Sequence, residues 1–245
     1  MLPKISAYCC TYARVKPLEE ALYSFLNQDY KGPKELVILN DYDDQKLIFN
    51  HPEVKIYNTI GRFDNLGKKF NACVNLTTGD IILPWEDDDV YLSNRMSYTQ
   101  QNMENGYFHT SMGFFEQGKE QLVKTGNYFH CNCAFTRDLY KKEGGYERTN
   151  QPNLDQIFLN KMKKASNFIE KPIADKDIFY VYRWSQTQSY HASGWACDEK
   201  LNVLNNAKDI IDHQKSLGLI PQGEYELTPK WSYDYEKKCR ELALS

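Results

Sequence analysis

The chain has 245 residues, enough to bury a sizeable core without a disulfide or a metal to hold it together. Lys+Arg 30 against Asp+Glu 33 leaves a formal charge of −3, so nothing electrostatic favours nucleic acid or an anionic membrane as partner. At 41% hydrophobic and 26% charged residues the composition excludes a disordered chain, and no apolar run approaches the ~20 residues that would cross a bilayer.

Strand and helix alternate through the first ninety residues. Ile5 to Cys10 is a short, β-prone apolar run, and Pro17 then opens a helix with Leu18, Ala21, Leu22, Phe25 and Leu26 on one face. Gly32-Pro33 punctuates. Glu35 to Leu39 follows as a second strand, apolar enough to be covered on both sides, and Val54 to Tyr57 as a third. Leu66, Phe70, Cys73 and Val74 recur at helical spacing, and Thr78-Gly79-Asp80 ends that helix. Ile81-Ile82-Leu83 forms a fourth strand that runs straight into Trp85-Glu86-Asp87-Asp88-Asp89.

Beyond Asp89 the pattern loosens. Asn94 to Met103 reads as a helix, Gly106 to Phe135 as antiparallel strands or long loops, and Gly144-Gly145-Tyr146 as a turn. Leu154, Ile157, Phe158, Met162 and Ala165 mark a helix after Pro152-Asn153. Ile178 to Trp184 is expected as a strand, Ala207 to Leu217 as a helix, and residues 221–245 as a polar tail with a turn or two of helix.

Strands separated by helices imply βαβ units and a mostly parallel sheet, in which ligands collect past the carboxyl ends of the strands. The residues there are Thr11, Tyr12 and Arg14 after the first strand, Asn40, Asp41, Asp43 and Asp44 after the second, and the acidic run after the fourth. Four adjacent carboxylates repel one another and cost stability unless a cation or solvent offsets their charge. Behind a buried strand they cannot splay like an acidic tail, and carboxylate oxygens are the ligands of magnesium and manganese. Arg14, Arg62, Lys68 and Lys69 stand near strand or loop ends, where a cation contacts phosphate oxygens, and of these Arg14 and Lys68 are the candidates. His191, in Tyr190-His191-Ala192-Ser193-Gly194-Trp195, follows a strand and reads either as a metal or diphosphate ligand or as a plain loop histidine.

Ser6-Ala7-Tyr8-Cys9-Cys10-Thr11-Tyr12-Ala13-Arg14, Leu36-Val37-Ile38-Leu39-Asn40-Asp41 and Thr78 to Asp89 together resemble the GT-A glycosyltransferases, most closely the large inverting family 2. Gly144-Gly145-Tyr146-Glu147 followed by Leu154-Asp155 is similar to that family's later elements, so the resemblance runs over residues 4–165. Ala13 stands where the family usually has Asn, Asn40 where it has Asp, and Leu154 where it has Glu.

The resemblance implies an α/β fold of GT-A type, a Rossmann-like, mostly parallel sheet flanked by helices. One domain would span 1–220, with a nucleotide-sugar half at 1–105, an acceptor half at 106–220 and a tail at 221–245. Tyr12 would stack on the donor's base, with Thr11 beside it, and Asp41 would accept hydrogen bonds from the base. Asp87 or Glu86 would touch the ribose. Asp88 would bind Mn2+ or Mg2+ bridging the diphosphate, with Asp89 replacing it if the DxD pair is read one residue later and His191 completing the site. Asp155 would be the general base, although an acid in the first turn of a helix is also favoured by the dipole alone.

The implied reaction moves a sugar from a nucleoside-diphosphate sugar (UDP first, GDP or dTDP open) to a hydroxyl of a glycan or glycoconjugate, with inversion. A sugar-1-phosphate nucleotidyltransferase would instead need a Gly-rich basic loop after the first strand, and Cys10 to Arg14 contains no glycine. A non-catalytic carbohydrate-binding protein, its acids holding calcium, fits the parallel βαβ character poorly. The start Met1-Leu2-Pro3-Lys4-Ile5 has no signal-like apolar stretch. Seven cysteines, with Cys9-Cys10 and Cys131-Asn132-Cys133 spaced wrongly for zinc, suit free thiols in a reducing compartment. The expected location is the cytoplasm.

Overall fold

A computed structural model describes residues 1–117, 121–149, 151–184 and 211–244. Its centre is a six-stranded sheet of β1 (Ile5–Thr11), β2 (Lys34–Asn40), β4 (Val54–Asn58), β5 (Ile81–Pro84), β7 (Tyr107–Phe108) and β10 (Ala134–Thr136), in the order β4-β2-β1-β5-β10-β7. The first four run parallel, and β10 and β7 close the edge antiparallel. Thr11 pairs with Asn40 and Asn40 with Asn58, so three carboxyl ends stand level, while Tyr8 pairs with Pro84 and brings the acidic run up beside the end of β1.

The period of two along these strands builds two cores. Ile5, Ala7, Cys9, Leu36, Ile38 and Leu83 face α1 (Val15–Leu26) through Leu18, Ala21, Leu22 and Phe25. Tyr8, Cys10, Val37, Leu39 and Ile82 face α2 (Leu66–Leu76) and α5 (Leu154–Ser166) through Phe70, Cys73, Phe158 and Met162. α1 begins two residues before Pro17, which sits in the first turn, where its missing N–H costs nothing. Asn65 caps α2 by accepting from the Lys68 N–H at 2.8 Å.

A second sheet runs β6-β11-β8-β9, from β6 (Val90–Tyr91), β8 (Met112–Gln117), β9 (Leu122–Gly126) and β11 (Tyr180–Trp184), and α3 (Arg95–Asn102) follows β6. A helix not anticipated, α4 (Arg137–Glu143), starts on a Thr136 cap and ends at Gly144. Gly144 and Gly145 both have positive φ, and a Cβ on Gly145 would lie 2.5 Å from Asn71 Oδ1, so only glycine makes this turn.

Residues 221–244 pack onto the domain instead of trailing from it. β12 (Gly223–Glu226) pairs in parallel with β3 (Gln45–Ile48), a strand the polar run Asp43 to Lys46 conceals. α6 (Tyr235–Leu244) buries Tyr235 and Cys239, and its Glu236 accepts from the backbone and hydroxyl of Ser93. Ala207–Leu217, expected as a helix, is described only from residue 211, where 211–216 are helical. No helix of the described residues is long and apolar enough to cross a membrane.

Opposite the carboxyl ends, Glu35 ties the sheet together. Its carboxylate accepts from Ser6 Oγ at 2.7 Å, Lys55 Nζ at 2.8 Å, Lys4 Nζ at 3.1 Å, and Thr78 N and Oγ1 at 2.6 and 2.8 Å. Burial pushes its pKa up, but Lys55, Ser6 and Thr78 outweigh burial and hold it well below the usual carboxylate range. Glu35 therefore contributes its full stabilisation above its unfolded pKa of about 4.3 and loses it as pH falls toward the lower folded value. Glu35→Gln is expected to cost about 2 kcal/mol at pH 7, in the range of hydrogen bonds to a charged group. Urea melts at pH 7 and pH 3 should show the variant losing less stability on acidification than the wild type; equal losses would contradict this role.

Candidate functional site

At the β2 and β1 ends, Asp41 is buried and fully engaged. Its Oδ1 accepts from Lys69 Nζ at 2.5 Å and its Oδ2 from the Phe63 N–H at 3.0 Å, while Lys69 also reaches the Thr11 carbonyl at 2.7 Å. The buried ammonium comes from Lys69, not Lys68, which pairs with Asp64 on the exposed side of α2. Tyr12 is half-buried, edge-on to Tyr42 with ring centroids 5.1 Å apart, and the Arg62 guanidinium lies over it at 4.2 Å. Desolvation pushes its hydroxyl pKa up. Ala13 has φ 58, a left-handed conformation that Asn tolerates better than Ala, and its Cβ packs in an apolar cluster with Tyr42, Ile211 and Ile220. Apolar contact here takes the place of a polar turn residue, and the turn separates Tyr12 from Arg14.

Arg14 points to the acidic run. It holds the fully buried Asp87 by donating from Nε to Oδ2 at 3.1 Å, with Nη2 paired to Oδ1 by charge at 2.8 Å, and its Nη1 meets Asp88 Oδ2 at 2.7 Å. Burial pushes Asp87 up to about 7; Arg14 pulls it down and the Asp88 charge pushes it up. Asp89 is tied to β11, its oxygens accepting from the Tyr180 hydroxyl at 2.6 Å and the Arg183 N–H at 2.9 Å, and burial holds its pKa well above the usual range. Arg183, itself paired with Glu20, donates through Nε to the Asp88 carbonyl at 2.7 Å and fixes the loop from behind.

Glu86 faces the other way, toward β10. Its Oε1 lies 3.2 Å from Nδ1 of the buried His130, and its N–H donates to the Tyr91 hydroxyl at 2.7 Å. Glu86, His130 and Cys131 each bring a ligand atom within 4.8 Å of the others. That nitrogen, oxygen and sulfur set is of the kind zinc takes, whereas the all-oxygen set of the acidic run suits Mn2+ or Mg2+.

Asp155 lies in the first turn of α5, half-buried, with Oδ2 accepting from Gln156 Nε2 at 3.2 Å. Tyr182 senses it together with the acidic run: burial raises its hydroxyl pKa, and the charges of Asp89, Asp88 and Asp155 add to the rise. Thr11, Tyr12, Arg14, Asp41, Glu86, Asp87 and Asp88 thus stand past the carboxyl ends of β1, β2 and β5, and Asp155 opens α5. His191 lies outside the described residues. Lys69, His130 and Tyr146, none singled out from the sequence as site residues, line or support the same strand ends.

The family model described as glycosyl transferase family 2 matches residues 6–166. Among solved structures, residues 1–349 of S. aureus TarS in complex with UDP-GlcNAc superpose with a TM-score of 0.59 at 15% identity, covering 84% of this chain and 65% of that one. Longer S. aureus TarS gives 0.55 at 16% identity, over 87% of this chain and 44% of its own, so the chain spans less than half of that protein. The mannosyltransferase PcManGT from Pyrobaculum calidifontis, in complex with GDP-Man and Mn2+, gives 0.54 at 14% identity, over 100% of this chain and 74% of its own. Identities this low carry the GT-A fold alone. Among curated proteins, no sequence matches the chain.

Proposed function

The chain belongs to glycosyl transferase family 2, and from that premise we propose that it is a metal-dependent inverting enzyme. It would take a nucleoside-diphosphate sugar, UDP-linked first and GDP- or dTDP-linked otherwise, to a hydroxyl of a glycan or glycoconjugate. One observation supports the reading: Tyr12 and Asp41 stand at the carboxyl ends of β1 and β2 beside the acidic run that follows β5, and Asp155 acts on the same Tyr182 hydroxyl as Asp88 and Asp89.

Within the acidic run Asp87 is fully buried against Arg14 and Asp89 is held by β11; Asp88, which also meets Arg14 through Oδ2, is the residue we assign to Mn2+ or Mg2+, as the family resemblance implies. Asp87 and Asp88 share the guanidinium of Arg14 with Glu86 and Asp89 beside them in the chain, a charge surplus that suits a divalent cation. Bound there, the ion would act as a Lewis acid on the departing diphosphate. Tyr12 offers its ring to the base, and Lys69 holds Asp41 in the orientation that accepts from the base. Asp155 takes the proton of the acceptor hydroxyl as its oxygen attacks the anomeric carbon opposite the leaving diphosphate, which inverts the centre. The Oδ1 of Asp155 has no hydrogen-bond partner among the described residues and is the oxygen for that proton. Among the described residues six cysteines are free and buried, which supports a reducing, cytoplasmic setting.

The test is thermal stability against UDP, GDP, dTDP and their sugars, each with and without Mn2+. A ligand at 100 times its Kd stabilises by about 2.7 kcal/mol, which raises Tm by roughly 5–10 °C in a domain of this size. One base family is expected to do so, and only with the ion present. No shift with any nucleotide would remove the assignment of Tyr12, Asp41 and Asp88.

A further inference from the structure

A buried chain of hydrogen bonds leads from the middle of β1 to Glu86. The Tyr8 hydroxyl meets the Tyr146 hydroxyl, Tyr146 Oη lies 2.7 Å from His130 Nε2, and His130 Nδ1 lies 3.2 Å from Glu86 Oε1. Its direction is set by the end at Glu86. A carboxylate only accepts, so Nδ1 carries the hydrogen toward Glu86, and in that tautomer Nε2 accepts from Tyr146, which in turn accepts from Tyr8. Every hydroxyl and ring nitrogen in the chain then has a defined role.

The ring has no freedom to turn. His130 stacks on Phe70 at 5.6 Å with 28° between planes and meets Tyr146 and Phe158 edge-on, and Tyr146 stacks on Phe158 at 3.7 Å. Tyr146 is held by the Gly144-Gly145 turn and by its own N–H, which donates to Asn71 Oδ1 at 2.8 Å. Such an assembly is more than packing a core requires, because an apolar residue at 130 would leave no polar group to satisfy. What it does is hold one oxygen of Glu86. The other, Oε2, has no hydrogen-bond partner among the described residues, and the Glu86 side chain is 25% exposed.

Strand order says what Oε2 meets. A donor whose base rests at the β2 and β1 ends and whose diphosphate lies at Asp88, after β5, continues toward β10, the next strand, and residues 130–132 immediately precede β10. We propose that His130, oriented by Tyr146, is a positioning residue that presents Glu86 Oε2 as the acceptor for a hydroxyl of the transferred sugar, and so sets donor-sugar recognition. The inference rests on the donor-site reading above.

Calorimetric titration with Mn2+ separates the two. UDP, GDP and dTDP are compared with UDP-GlcNAc, UDP-glucose, GDP-mannose and dTDP-glucose on wild type, His130→Phe and Tyr146→Phe. His130→Phe keeps the aromatic stack and Tyr146→Phe removes a single oxygen, so if one variant fails to fold the other still reads. The expected result is a Kd for the nucleotide sugar raised about 10-fold, the scale of one hydrogen bond to a charged group, with the Kd of the parent diphosphate within 2-fold of wild type. Equal losses for both ligands, or no loss for the sugar conjugate, would overturn the assignment. A wild type that binds none of the diphosphates overturns the donor reading instead.

Discussion

Asp88→Asn is expected to lower donor turnover by about three orders of magnitude, the scale of losing a group that stabilises charge on a departing diphosphate. The substitution keeps the shape of the side chain and its contact with Arg14 while removing the negative charge that would hold a divalent ion. The fold should survive it. Asp88 raises the pKa of both Asp87 and Asp89 by charge repulsion, so neutralising it relieves its neighbours while Arg14 keeps its hold on Asp87. Ligand-free Tm is expected within about 4 °C of wild type, equivalent to roughly 1 kcal/mol. Hydrolysis of the donor by water supplies the assay without an identified acceptor, and its dependence on Mn2+ should vanish in the variant. Wild-type turnover, or an unchanged response to Mn2+, would show that the ion is held elsewhere.

Asp155→Asn should lower kcat by 10²–10⁴-fold, the usual contribution of a positioned general base, and leave KM for the donor unchanged. Asparagine fills the same space and can still meet Gln156, but it cannot take a proton. The loss of charge at the start of α5 costs only about 0.3–1 kcal/mol through the helix dipole. The pairing of a kcat defect with an intact KM distinguishes Asp155 from Asp88, whose loss weakens donor binding as well. A variant that turned over donor at the wild-type rate would leave Asp155 as a helix-start acid and nothing more.

Local physics made the sheet legible. Ile5 to Thr11 and Lys34 to Asn40 are short apolar runs between turn residues, and such a run bounded by helices has few ways to fold other than as a buried parallel strand. Once the sheet is parallel, its carboxyl edge is where functional groups gather, which brought Tyr12, Arg14, Asp41 and the acidic run to attention together. Lys68 and Lys69 differ by their place on the helix. Adjacent residues on a helix point about 100° apart, and Lys69 lies four residues before Cys73, on the apolar stripe of α2. A lysine on an apolar stripe needs a buried partner, and that was the available signal.

His130 offered no such signal. Its partners Glu86 and Tyr146 lie 44 and 16 residues away and reach it only through tertiary packing. The departure at position 13 is legible only in retrospect, because the contacts of its Cβ with Ile211 and Ile220 join ends of the chain that no periodicity relates. The same holds for β3, whose sequence is polar and whose partner strand is 178 residues distant.

That distance has a consequence during synthesis. Gln45 to Ile48 leaves the ribosome with its outer edge unpaired, and Gly223 to Glu226, which closes that edge, emerges 178 residues later. At about 5–20 residues per second the interval is roughly 10–35 s. The six-stranded sheet can assemble meanwhile, while β3, which pairs with β12 in a separate two-stranded sheet, waits tens of seconds for its partner. An open strand edge is a template for pairing with another chain. The hazard of aggregation is therefore concentrated in the interval before the final strand arrives, and slower translation of the second half would lengthen it.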